Sequence, residues 1–121
     1  MSGYTHVKEA TRVPVPGGKL IEEIFGRVST GSDDVSVAHM VAPPGWGEPA
    51  QTPAFAEITV MVRGKMRVEV GEAVVELSAG ESIRTDPGVR VRYSNPYADE
   101  NEYYAICLPA FSPETVNRDP E

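Results

Sequence analysis

Apolar and polar positions alternate along most of the chain with a period of two, in short runs broken by Gly, Pro, Asn and Asp. That is the pattern of half-buried strands punctuated by turns. Val35–Val41 (VSVAHMV) predicts a strand stopped by Pro43-Pro44-Gly45. Glu57–Val62 (EITVMV) is rich in β-branched residues and ends at Arg63-Gly64. Lys65–Val70 (KMRVEV) alternates cleanly, Gly71-Glu72 suits a tight hairpin turn, and Ala73–Leu77 returns. Ser82–Thr85 is a short strand between the turns Ser78-Ala79-Gly80 and Asp86-Pro87-Gly88. Val89–Ser94 (VRVRYS) alternates again up to Asn95-Pro96, and Glu102–Leu108 (EYYAICL) is a late strand closed by Pro109.

Near the start, Arg12–Val15 and Leu20–Arg27 flank Pro16-Gly17-Gly18, and the period leaves the second segment open as a strand or a short helix. No long amphipathic helix is present, so the pattern predicts an all-β sandwich or barrel. The chain has 121 residues, enough for one core. The expected organisation is a single domain with a core barrel over about 20–110 and a polar tail over 111–121, either ordered over the barrel or frayed.

Charge narrows the partners. A net charge of −7 is repelled by phosphate backbones, which argues against nucleic acid. Basic residues gather at Arg63, Lys65 and Arg67 and at Arg84, Arg90 and Arg92. They read as solvated faces or, more sharply, as an anion site or polar subunit contact. Cys107 is the sole cysteine, so the chain holds no internal disulfide. The first twelve residues lack the apolar stretch of a secretory signal, and no apolar run approaches the roughly 18 residues that span a bilayer. The expectation is a cytoplasmic protein without a membrane partner.

One frame of spacings is specific. Gly45 is followed after five residues by Gln51-Thr52-Pro53, three residues later by Glu57 and six later by Gly64. Gly80 is followed after five residues by Asp86-Pro87-Gly88, two later by Val91 and three later by Asn95. This frame resembles the two motifs of the cupin superfamily, and the likeness runs from Val35 to Pro109. It implies a double-stranded β-helix, or jelly-roll, barrel, usually dimeric, with an interior pocket. In typical cupins three histidines and a glutamate hold a divalent metal. The corresponding positions here are Gln51, Pro53, Glu57 and Val91, and every histidine is gone. Pro53 and Val91 offer no side-chain donor, and metal sites usually need about three protein ligands. The usual metal is therefore not expected, nor any other cofactor. His39 is expected to point outward between Ala38 and Met40, and His6 lies on an N-terminal segment of open path.

The resemblance and the period-two alternation together draft a pocket. Glu57 carries Thr59 and Met61 inward, and Val91 carries Tyr93. The family pattern would place Tyr104, Ile106 and Leu108 inside and Cys107 outside. Met40 adds to the wall, and Trp46 and Phe55 lie on the loop expected to line the mouth. Gln51, Thr59, Met40, Met61, Trp46, Phe55, Val91 and Ile106 are the candidate binding residues. Glu57, Tyr93 and Tyr104 are the candidate catalytic ones. A carboxylate in an apolar wall without a metal should have a raised pKa, which suits proton transfer. Tyr93 or Tyr104 could donate to an oxyanion, and Gln51 could orient a carbonyl. The same residues can equally be satisfied core groups.

The leading expectation is small-molecule binding, with isomerase or lyase chemistry at Glu57. A non-catalytic ligand-binding or sensory cupin is the first alternative. A third comes from the phrase Phe55–Val68, which is similar to the ethanolamine-utilisation cupin linked to acetate kinase activity and shell assembly. A metal-dependent cupin with atypical ligands is a minor one.

Overall fold

The computed structural model describes residues 3–120 and is all-β. Its strands are β1 (Thr11–Arg12), β2 (Leu20–Phe25), β3 (Ser36–Ala42), β4 (Ala56–Arg63), β5 (Lys65–Val70), β6 (Ala73–Ser78), β7 (Ser82–Thr85), β8 (Val91–Ser94) and β9 (Asn101–Leu108). They form two antiparallel sheets. The larger runs β1-β2-β3-β9-β4-β7 and the smaller β6-β5-β8. The core lies between them: Met61, Tyr103 and Ala105 from the larger sheet meet Met66, Val68, Leu77, Val91 and Tyr93 from the smaller. The strands fall within a residue or two of the alternation in the sequence. The open segment 20–27 resolves as a strand because β3 supplies a full antiparallel ladder to it.

The motif residues that survive have structural reasons to do so. Gly64 turns the chain between β4 and β5 at φ 76°, and a Cβ there would lie 2.9 Å from the Glu100 carbonyl oxygen. Only glycine fits that backbone approach. Asn95 is fully buried, its Nδ2 lying 3.0–3.2 Å from the carbonyls of Ala42, Pro43 and Asp99. Its Oδ1 accepts from the Tyr97 amide, and its backbone is paired with Gly45 and Trp46. One side chain thus ties the end of β3, the mouth loop and the β8–β9 turn together.

The tail is ordered over the barrel. The amides of Thr52 and Ala54 donate to the carbonyls of Asn117 and Thr115, and the Asp119 amide donates to Ala50. Val116 is buried beneath it with Phe55, beside Phe111.

Two expectations are corrected by the register of β9. Tyr103, Ala105 and Cys107 stand opposite Met61, Thr59 and Glu57 of β4 and opposite Met40, Ala38 and Ser36 of β3, so they share the inner face. Tyr104, Ile106 and Leu108 therefore face outward and Cys107 inward, the reverse of the expected parity. Tyr104 lies against His39 with ring centroids 5.2 Å apart, on the outside of the larger sheet. The cause is that β9 is central in its sheet and apolar on both faces, so alternation carries no parity signal there.

The basic cluster resolves into ion pairs. Arg63 meets Glu100, Lys65 meets Glu76, Arg67 meets Glu69, Arg84 meets Asp86, Arg90 meets Asp119 and Arg92 meets Glu69, each within 4.0 Å. These are solvated pairs of small energetic worth. Glu69 is shared between Arg67 and Arg92.

Candidate functional site

Six segments bring side chains into the barrel. Strand β4 delivers Glu57, with Thr59 and Met61 following on the same face. The mouth loop delivers Trp46 and Glu48. The extended stretch at Gln51 pairs reciprocally with Val91, amide to carbonyl at 2.8 Å in both directions. Directly opposed residues of an antiparallel bridge project to one side, so Gln51 faces inward as Val91 does. Strands β7 and β8 supply Thr85 and Tyr93, whose hydroxyls are 3.4 Å apart. The sixth segment is one that sequence reasoning missed. The turn before β2 lies against Trp46 and Pro43 through Gly17 and Gly18, and it sends Lys19 into the barrel mouth.

The electrostatics centre on Glu57. Protein atoms surround its carboxylate, while part of the residue remains accessible. Desolvation, reinforced by the charge of Glu48, pushes its pKa up to about 7, against the opposing pull of Lys19 and the facing Cys107 thiol. Burial pushes Tyr93, Tyr103 and Cys107 upward as well, so all three stay protonated at neutral pH. Burial also raises Glu48, while Lys19 and Arg118 oppose that shift. Lys19 moves the other way, to about 8, because desolvation outweighs the attraction of Glu48 and Glu57. Its Nζ lies 4.0 Å from the Trp46 ring centroid and 5.3 Å from that of Tyr103.

Two buried polar atoms in the interior lack a hydrogen-bond partner, Gln51 Oε1 and Thr59 Oγ1. Such orphans are uncommon in folded proteins.

Of the candidate residues, the structure brings Glu57, Tyr93, Gln51, Thr59, Met40, Met61, Trp46 and Val91 to the interior, where Met40 packs against the buried core. It does not bring Tyr104 and Ile106 there; Ile106 sits on the outer face between Val37 and Ile58. Phe55 is also displaced from the expected mouth. It is 1% exposed in a separate cluster with Cys107 and Val116, because the tail folds over it and sets Phe111 edge-on at 5.8 Å. Lys19 carried only a weak signal. It shares parity with Ile21 and Glu23, but Leu20, Glu22 and Ile24 are equally mixed, so neither face of that strand reads as inner.

A shallow surface depression of about 630 Å³ lies beside Glu48, Arg90, Arg92 and Asp119. It is open to solvent and does not reach Glu57.

The frame, the two-sheet barrel and the motif contacts agree with comparison to known proteins. The Cupin domain family matches residues 38–107. The chain is a cupin. An RmlC-like cupin from Shewanella frigidimarina superposes with a TM-score of 0.73 at 15% identity, over 91% of this chain and 93% of that one. Oxalate decarboxylase from Bacillus subtilis superposes with a TM-score of 0.78 at 15% identity, over 93% of this chain and 30% of that one. At such identity these establish the fold alone. Endoribonuclease YbeY from Myxococcus xanthus is 39% identical over 111 residues, 92% of this chain. The chain spans only 38% of that protein's length.

The cupin fold raises the matter of a metal. Among the described residues no three His, Cys, Asp or Glu side chains converge as metal ligands. Val91 is packed in the apolar core, Pro53 has no donor, and Gln51 supplies only an amide. His39 is on the outer face, hydrogen-bonded to Glu22 at 3.1 Å and Glu102 at 2.7 Å. The residues present do not fit the usual cupin metal. Among the described residues no helix is long and apolar enough to cross a membrane.

Proposed function

We propose that this cupin binds a small organic molecule in its barrel and that Glu57 exchanges a proton with it without a metal. The observation that carries this reading is a carboxyl group on the inner wall whose pKa is pushed up to about 7 by desolvation. Such a group can both give and take a proton near neutral pH. Tyr93, kept protonated by burial, would donate to an oxygen that gains charge. The unpartnered Gln51 Oε1 and Thr59 Oγ1 supply further polar contacts. The mostly apolar interior around Glu57 would favour a small, partly apolar molecule. Isomerisation, epimerisation and dehydration are the reactions that need no more than this.

The test is proton exchange. Panels of hydroxy acids, keto acids and sugars incubated in D2O are followed by proton NMR with the wild type and Glu57→Gln. Wild-type-dependent loss of a carbon-bound proton signal, abolished by Glu57→Gln at a melting temperature no lower than that of wild type, is the expected result. Binding without exchange, altered only in affinity by the substitution, would establish a non-catalytic binding module instead.

A separate observation supports self-association. Val37, Val41, Ile58, Val60, Tyr104 and Ile106 form a half-exposed apolar swath on the outer face of the larger sheet. We propose that a second copy covers it, as the homodimer expectation requires. Light scattering of a dimer, and of a monomer for Ile106→Arg, is the expected pair of results. A monomeric wild type across micromolar concentrations would refute it. The RNA-cleaving activity in the Myxococcus relative's name is not carried over, because a chain of net charge −7 disfavours a polyanion.

A further inference from the structure

One polar line crosses the apolar outer face of the larger sheet. His39 lies on it in β3, with Val37 and Val41 before and after it on the same face. Glu22 of β2 and Tyr104 of β9 stand directly opposite His39, and Glu102 and Ile106 sit on the diagonals. Each ring nitrogen meets a carboxylate: Nδ1 is 3.1 Å from Glu22 and Nε2 is 2.7 Å from Glu102. A neutral imidazole has one N–H and one lone pair, so it can donate to only one of them. The arrangement is that of an imidazolium donating on both sides. Arg63 of β4 closes the line, 3.5 Å from Glu102 and, at the rim, 3.0 Å from Glu100. Glu22, His39, Glu102 and Arg63 together carry no net charge while His39 is protonated.

A polar line inside an apolar contact is tolerated when its charges balance and its hydrogen bonds are made. A chain of net charge −7 repels its own copies over most of its surface, so a balanced apolar face is where two copies can meet. An isologous contact brings two such lines into one interface and doubles any imbalance in either. Loss of the ring proton creates that imbalance. Glu102 keeps Arg63, but among the described residues His39 is the one cation paired with Glu22. Each copy would then cover an uncompensated carboxylate.

We propose that protonation of His39 governs self-association: the outer face of the larger sheet holds a second copy while the ring is charged and releases it when the proton is lost. This rests on the reading of that face as a self-association surface and adds its regulation. Partial burial opposes the charge on the ring, but the bonds to Glu102 and Glu22 hold its midpoint above 6.5. Association therefore strengthens on the acid side of that midpoint and weakens as pH rises through it.

The test is sedimentation velocity of the full chain at fixed ionic strength from pH 6 to pH 8.5. The wild-type Kd is expected to weaken by at least about fivefold across that range. His39→Gln should weaken the dimer at pH 6 and flatten the curve, since no ring proton remains to be lost. Glu22→Gln should keep the dimer and also flatten the curve, because its amide can donate to the neutral ring. A smaller wild-type change, or a His39→Gln dimer that keeps the wild-type slope, would overturn the switch. If His39→Gln does not fold, the wild-type and Glu22→Gln curves decide. A wild type monomeric at every pH refutes the self-association reading and the switch with it. A pH-insensitive dimer that Ile106→Arg dissociates refutes the switch alone.

Discussion

The two faces of β9 have nearly the same composition and opposite fates. Tyr103, Ala105 and Cys107 are buried in the barrel, while Tyr104, Ile106 and Leu108 stand on the outside of the larger sheet. The side chains themselves do not choose. Neighbouring β3 and β4 do, because their registers set which β9 residues oppose Met40, Met61 and Glu57. The inner face then acquires desolvated titratable groups, and the outer face acquires a row of half-covered apolar ones. A strand apolar on both sides carries no signal for which side faces the interior.

That contrast can be broken first by volume. Met61 is 2% exposed on the inner face, and Val60 beside it is half-exposed on the outer. Met61→Ala should cost roughly 2–5 kcal/mol in urea unfolding, from lost transfer energy plus a cavity. Val60→Ala should cost less than about 1 kcal/mol. Comparable losses would mean that the outer face is as fully covered as the core, as a tight dimer would make it.

The second break is by pH. Glu57 is raised in the folded state, so between its unfolded value of 4.5 and about 7 the native protein holds more protons than the unfolded chain. Stability must therefore fall as pH rises through that window, by up to about 3 kcal/mol at 1.36 kcal/mol per unit. Glu57→Gln should flatten the profile and leave the variant about 1–3 kcal/mol more stable than wild type at pH 8. Unfolding curves from pH 4.5 to 8 check this, and a wild-type profile that is flat or rising would contradict a desolvated Glu57.

The smallest effect belongs to the outer face. Partial burial opposes the charge on His39, but hydrogen bonds to Glu102 and Glu22 win and raise its pKa above 6.5. Its contribution is complete below pH 6.5 and fades as pH rises through the higher folded value. His39→Gln should therefore cost less than about 1 kcal/mol, and only at the acidic end. The histidine ring resonances in an NMR titration would show the raised midpoint directly.

The barrel and most strand positions were legible because period-two alternation and turn residues report backbone needs locally. Gly64 and Asn95 were legible as spacings, and the structure supplies their causes: a close backbone approach and a cluster of buried carbonyls. The placement of Glu57, Thr59 and Met61 on the inner wall followed from the same frame, since β4 keeps its alternation up to the irregularity at Met61 and Arg63. Tyr104, Ile106 and Phe55 were misplaced for two different reasons. The first two sit on a strand with no polar face, and Phe55 is claimed by a tail whose path no local pattern encodes.

Alone, the amino-acid order determined that this is a short-stranded β barrel with the metal-holding imidazoles replaced by an amide, a proline and a valine. Those properties are local, since each turn glycine and each alternation is read within a few residues. Which face of β9 is inside, and that Lys19 joins Glu57 at the mouth, were decided by tertiary structure. Both depend on contacts between segments far apart in sequence. Desolvation of the interior groups exists only once those segments have closed around them.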